Sequence, residues 1–119
     1  MSPKSLLQRW VDTFNTADPD ALAEFYAEHA VNHQVNTDPV VGKAAIHQMF
    51  MHEFALAKMV CVVENIFEDG QWGMLEWSDP LGLRGCGFFQ FEGDKIVFQR
   101  GYWDRLSFLR QHKLPLPTE

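Results

Sequence analysis

The hydrophobic repeat changes from 3.6 residues to 2 near residue 58, and that switch divides the chain into helices followed by strands. Before it, Leu6, Leu7, Trp10, Val11 and Phe14 recur at helical spacing and predict an amphipathic helix over 4–16. Asp18-Pro19 supplies an N-cap and a first-turn proline for a second helix carrying Leu22, Phe25 and Tyr26. Residues 31–35 alternate apolar and polar, which suits a short strand, and 36–39 carry turn chemistry. Gly42 precedes a third helix over 43–57, with Ile46, Met49, Phe50 and Phe54 on one face. Beyond the switch, 59–67, 72–78, 84–91 and 96–103 read as strands, separated by the turn-forming groups Glu68-Asp69-Gly70, Asp79-Pro80-Leu81-Gly82 and Glu92-Gly93-Asp94. Such short connections imply an antiparallel meander. Asp104 can cap a final short helix through Leu109, ahead of Pro115 and Pro117. Helices first and strands after them is the α+β order, and with no internal repeat or linker residues 1–119 read as one domain.

An antiparallel sheet of this size twists and curls, and three N-terminal helices can cover its concave face. The expected shape is a cone with one central pocket, since helices that leave the curve partly unfilled leave a cavity at its open end. The other sheet face is left bare unless a second copy covers it. Met74, Phe98 and Tyr102 are candidates for that surface, so a homodimer is expected.

Charge narrows the partners. The formal net charge is −6, and the ten Lys and Arg are scattered rather than gathered into the basic stripe a phosphate backbone needs, so nucleic acid is not expected. No apolar run is long enough to span a bilayer, and no apolar signal segment is evident at the N-terminus, which gives the expectation of a cytoplasmic protein without membrane contact. Cys61 and Cys86 make neither a disulfide framework nor a Cys-x-x-Cys motif and read as reduced core thiols.

The motifs in order resemble the nuclear transport factor 2-like superfamily, SnoaL-like branch. Leu7-Gln8-Arg9-Trp10 through Phe14-Asn15-Thr16-Ala17-Asp18, followed by Phe25-Tyr26-Ala27-Glu28-His29-Ala30-Val31, is similar to its opening. Val41-Gly42-Lys43-Ala44-Ala45-Ile46 is similar to its third-helix entry, and Gly93-Asp94-Lys95-Ile96-Val97 with Arg100-Gly101-Tyr102-Trp103-Asp104 to its last hairpin. The resemblance implies the cone and spans nearly the whole chain, but a shape that hosts isomerases, epoxide hydrolases, cyclases, dehydratases and non-catalytic modules does not fix a function.

Carried over residue by residue, the resemblance removes known machinery. In ketosteroid isomerase-like members the tyrosine would fall on Trp10, the base on Gln34 and the second aspartate on Gly87; an amide cannot take a proton near neutral pH, and an indole N–H only donates. In limonene epoxide hydrolase-like members the water-holding pair would fall on Asn32 and Gln34, the arginine on Trp77, and the two aspartates on Asp79 and Gly101. The catalytic aspartate of SnoaL-like cyclases also maps to Gly101.

These positions put Asn32, Gln34, Trp77, Asp79, Gln99 and Trp103 on the concave face, and strand parity agrees within each strand. With Trp10 and Phe14 from the first helix, they are the expected ligand-binding wall, and Asp79 is the expected general base. Asp79 also reads as a turn residue with Arg84 across the hairpin as its ion-pair partner. His33 is the second catalytic candidate, although alternation points it away from Asn32 and Gln34. Glu64 can face inward or reach solvent at a strand edge. No metal is expected: His29 and His33 straddle a helix exit, His47 and His52 do not share a helix face, and His52-Glu53 lacks the second histidine of a zincin motif. The expectation is a cofactor-free pocket for a small, largely hydrophobic, oxygenated ligand, with isomerisation, cyclisation or dehydration by proton transfer if the protein is an enzyme. The alternative is a non-catalytic interaction module using the exposed sheet face.

Overall fold

A computed structural model describes residues 1–117. Its elements run α1 (Pro3–Phe14), α2 (Pro19–Ala23), β1 (Tyr26–Gln34), β2 (Val40–Val41), α3 (Lys43–Leu56), β3 (Val62–Asp69), β4 (Trp72–Ser78), β5 (Arg84–Glu92), β6 (Lys95–Trp103) and α4 (Arg105–Gln111). Ser2 caps α1 by accepting from the Ser5 amide, and Asp18 caps α2 by accepting from Asp20 and Ala21. Both helices carry proline in the first turn, where its missing N–H costs nothing.

The strands form one curved, unclosed six-stranded sheet in the order β2-β1-β6-β5-β4-β3. From β6 to β3 it is the antiparallel meander expected from the short turns. Two features correct the sequence reading. First, β1 lies beside β6 and runs parallel to it, with Asn32 opposite Gln99 and Gln34 opposite Gly101, so the sheet is mixed rather than wholly antiparallel. Second, α2 stops at Ala23, and Tyr26 begins β1 instead of ending a helix. A register shift between Tyr26 and Val31 lets this strand both leave the helix and pair with β6. The two-residue strand β2 was invisible in the alternation pattern; it pairs with Val31 and Asn32 and leads straight into α3 through Gly42.

The core lies between the helices and the concave face. Leu6, Leu7, Trp10 and Val11 of α1 and Ile46 and Phe50 of α3 pack on Tyr26, Ala30, Leu75, Phe89, Phe91 and Ile96 from the sheet. Asn15 clamps the end of α1 to the chain entering β3, donating to the Cys61 carbonyl at 2.9 Å and accepting from the Cys61 amide at 2.8 Å. Toward the wide end the packing turns aromatic. Trp10 stacks on Phe14 at 5.2 Å and meets Phe89 edge-on at 5.1 Å, while Phe14 and Phe50 both contact Phe54. These rings stop short of filling the cone.

Candidate functional site

The unfilled volume is a cavity of about 480 Å³. Trp10 and Phe14 of α1 and Met49, Phe50, Glu53 and Leu56 of α3 form its helical wall. Asn32, Gln34, Trp77, Gln99 and Trp103 form its sheet wall, and Phe108, Leu109 and His112 bring α4 against one side. All seven residues expected to contact a ligand therefore line one cavity, together with Asp79. His33 does not: alternation along β1 turns it to the other sheet face, away from its neighbours Asn32 and Gln34.

Polar side chains on the sheet wall join in one hydrogen-bonded chain. The Trp10 indole donates to the Tyr26 hydroxyl at 3.1 Å, and that hydroxyl donates to Gln99 Oε1 at 2.5 Å. From the other end, the Trp103 indole donates to Gln34 Oε1 at 2.7 Å, Gln34 Nε2 donates to Asn32 Oδ1 at 2.8 Å, and Asn32 Nδ2 donates to Gln99 Oε1 at 3.2 Å. Six side chains thus make one relay that meets at Gln99. Buried amides need partners, and the parallel register of β1 on β6 supplies them by setting Asn32 against Gln99. Burial pushes the Tyr26 hydroxyl well above its ordinary value, so it stays protonated and remains a donor at any working pH.

Gly101 makes room for this relay. A Cβ there would collide with the Gln34 carboxamide, which lies directly over it. The position to which the resemblance assigns the cyclase aspartate is therefore already filled by an amide reaching across from the neighbouring strand.

Asp79 lies at the cavity rim in a turn of its own making. Its Oδ1 accepts from the Leu81 and Leu83 amides, both at 2.9 Å, and its backbone N–H donates to the Leu83 carbonyl. The expected ion pair with Arg84 is not made. Arg84 instead approaches Glu64 at 4.0 Å, and Glu64 reaches outward to accept from Ser78. Asp104 caps α4 by accepting from Leu106 N, and its hydrogen bond from Ser107 holds its carboxyl below the usual range.

Glu53 is the residue the sequence reading passed over. It lies on α3 three residues after Phe50 and four after Met49, on the face turned to the cavity. Among the described residues its carboxylate has no hydrogen-bond or ion-pair partner, and burial raises its pKa from 4.5 to about 7. Helical spacing could have found it, because 46, 49, 50 and 53 share one stripe. Cys61 also lines the cavity, but burial pushes its thiol up to about 12, which leaves it protonated and unreactive. Among the described residues no three His, Cys, Asp or Glu side chains gather closely enough to hold a metal ion, and no helix is long and apolar enough to cross a membrane.

A curved, unclosed sheet with N-terminal helices packed on it fits the nuclear transport factor 2-like class of cone proteins. The pattern of the SnoaL-like domain matches residues 7–99, most of the chain, and the protein belongs to that family. No curated protein matches it in sequence. Solved structures match it in fold. A protein from Catenulispora acidiphila with a ketosteroid isomerase-like fold, crystallised with trimethylamine, superposes with a TM-score of 0.82 at 16% identity, over 97% of this chain and 96% of that one. SalBIII, an epoxide hydrolase/cyclase-like enzyme of pyran ring formation in the polyether salinomycin, gives 0.78 at 19% identity, over 87% of this chain and 91% of that one. An NTF2-like protein of unknown function from Cytophaga hutchinsonii gives 0.75 at 17% identity, over 92% and 96%. At these identities the likeness is one of fold.

Proposed function

We propose that this SnoaL-like protein binds a small, largely hydrophobic, oxygenated molecule in the cone and moves a proton on it without a cofactor, with Glu53 as the acid-base group. The observation that carries this reading is the partnerless Glu53 carboxyl, facing an apolar cavity with a pKa raised to about 7. A general base works best when its pKa lies near the operating pH, and burial tunes a carboxyl to that value. The cavity volume also supports a ligand over the alternative of an interaction module, which would be expected to have a filled cone. Asp79 is the second carboxylate, but two backbone amides already engage its Oδ1 in the turn. Pyran ring formation by the SalBIII fold relative lends support to cyclisation as one such reaction.

The chemistry can be tested before the substrate is known. With β-tetralone in D2O, the Glu53 carboxylate would take a proton from the carbon beside the carbonyl. The C–H pair becomes a C=C bond while the carbonyl π pair moves onto oxygen, and a deuteron returns to carbon. Deuterium incorporation followed by NMR is expected to be catalysed, with a rate rising through pH 7 as Glu53 ionises. No acceleration over buffer at any pH between 5 and 9 would sink the acid-base reading.

The outer sheet face bears on assembly. Phe88, Phe98 and Tyr102 surround the Arg100 guanidinium at 5.6 to 5.9 Å, and Tyr102 is 42% exposed. We propose that a second copy covers this face and Met74. Sedimentation equilibrium at micromolar concentration should return twice the mass of 13.7 kDa, and a monomer there would remove the proposal.

A further inference from the structure

The direction of every hydrogen bond in the six-residue relay is dictated by its two ends. An indole N–H can donate and never accept. Trp103 therefore demands an oxygen from Gln34, which turns the Gln34 nitrogen toward Asn32. Asn32 must answer with its oxygen and present its nitrogen to Gln99. From the other side, Trp10 occupies the Tyr26 oxygen as an acceptor, leaving the Tyr26 hydrogen to be given away. Both arms thus require an oxygen at the same place, Gln99 Oε1, and flipping any amide would set a donor against a donor.

The consequence lies on the other atom of that amide. Gln99 is 94% buried by its 6% exposure, it lines the cavity, and its Nε2 makes no hydrogen bond among the described residues. That nitrogen is not sealed off by the surrounding atoms, and Gln99 is on the cavity wall. Each relay carbonyl oxygen already accepts a hydrogen bond, while the amide nitrogen at their meeting point makes none. The geometry points to Gln99 Nε2 as the donor that fixes the ligand, and to a ligand whose buried end carries a hydrogen-bond acceptor oxygen. A ligand with only hydrocarbon at that end would leave the Gln99 N–H₂ buried and unpaired, and an unpaired buried donor is costly. This inference rests on the ligand-binding reading above and specifies the chemical end of the ligand.

The test compares β-tetralone with tetralin, which differ only in that oxygen, by titration against intrinsic Trp fluorescence at pH 5.5, where Glu53 is protonated. Trp10, Trp77 and Trp103 line the cavity and report occupancy. The ketone is expected to bind at least tenfold tighter than the hydrocarbon. Gln99→Glu keeps an oxygen for Tyr26 and Asn32 but replaces the free N–H₂ by an acceptor, and should reverse the order. Gln99→Leu should reduce the preference to within threefold and stands in if the glutamate variant fails to fold. Equal binding of the two compounds to the wild-type protein would overturn the donor assignment while leaving the ligand-binding reading intact. Failure of both to bind at millimolar concentration would overturn the two together.

Discussion

Glu53→Gln is expected to lower catalysed deuterium incorporation into β-tetralone by about 10²- to 10⁴-fold, the usual range for loss of a general base, and to change how stability depends on pH. The second effect needs no substrate. In the unfolded chain Glu53 titrates near 4.5, and in the folded protein near 7, because burial disfavours the charged form. Between those values the folded state holds a proton that the unfolded state has lost. Stability from this group therefore falls as pH rises from about 4.5 through 7, and is level above that. Each tenfold change in proton affinity is worth about 1.4 kcal/mol. Since the carboxyl opens onto a cavity that water can enter, the penalty is on the order of 2 kcal/mol rather than the full product.

The neutral amide of Glu53→Gln carries no such penalty. Wild type and variant should unfold at similar temperatures at pH 5 and diverge by pH 8, the variant melting roughly 5–10 °C higher. A raised melting temperature joined to lost activity is the mark of a residue kept for chemistry at a cost to stability. Parallel melting curves from pH 5 to 8 would mean that Glu53 titrates normally and is no tuned acid-base group.

What could be read in advance follows from how far each feature reaches along the chain. Strand parity is local, and it placed Asn32 with Gln34, and Gln99 with Trp103, on the cavity side. The hairpins were legible for the same reason, with Gly70 and Gly93 both at φ 58° in two of the turns. The pairing of β1 with β6 joins residues more than sixty apart in sequence, and no local pattern announces it. Hence the amides could be assigned to a wall but not to one another. Tyr26 was read into a helix because Leu22, Phe25 and Tyr26 keep helical spacing, yet the sheet claimed it, and it became the second arm of the relay. Glu53 was hidden differently. Its place on the buried stripe of α3 is a matter of counting, but the absence of any partner for it is a property of the whole cone.

Gly101→Ala should cost far more than a methyl group in a strand normally does. β6 is held on both sides, with Gly101 opposite Gln34 on β1 and Gly87 on β5, so its backbone has nowhere to retreat. The new Cβ would land on the Gln34 carboxamide and evict it. Trp103 Nε1–H and Asn32 Oδ1 would then lose their partners together. Two unsatisfied groups in a half-wet pocket amount to about 2–4 kcal/mol. The cause can be isolated with a double-mutant cycle. In a Gln34→Ala background the collision is gone, so adding Gly101→Ala should be nearly neutral, giving a coupling above roughly 1 kcal/mol by urea unfolding. If Gly101→Ala costs as much with Gln34 truncated as with it present, the strain lies in the backbone and the relay has no part in it. The same crowding explains the identity of the residue. A larger aspartate at 101 and a glutamine at 34 cannot share this space, so a chain that keeps the neutral relay has no room for a carboxylate at 101. The proton transfer proposed above would then come from another wall, and on α3, facing the same cavity, stands Glu53.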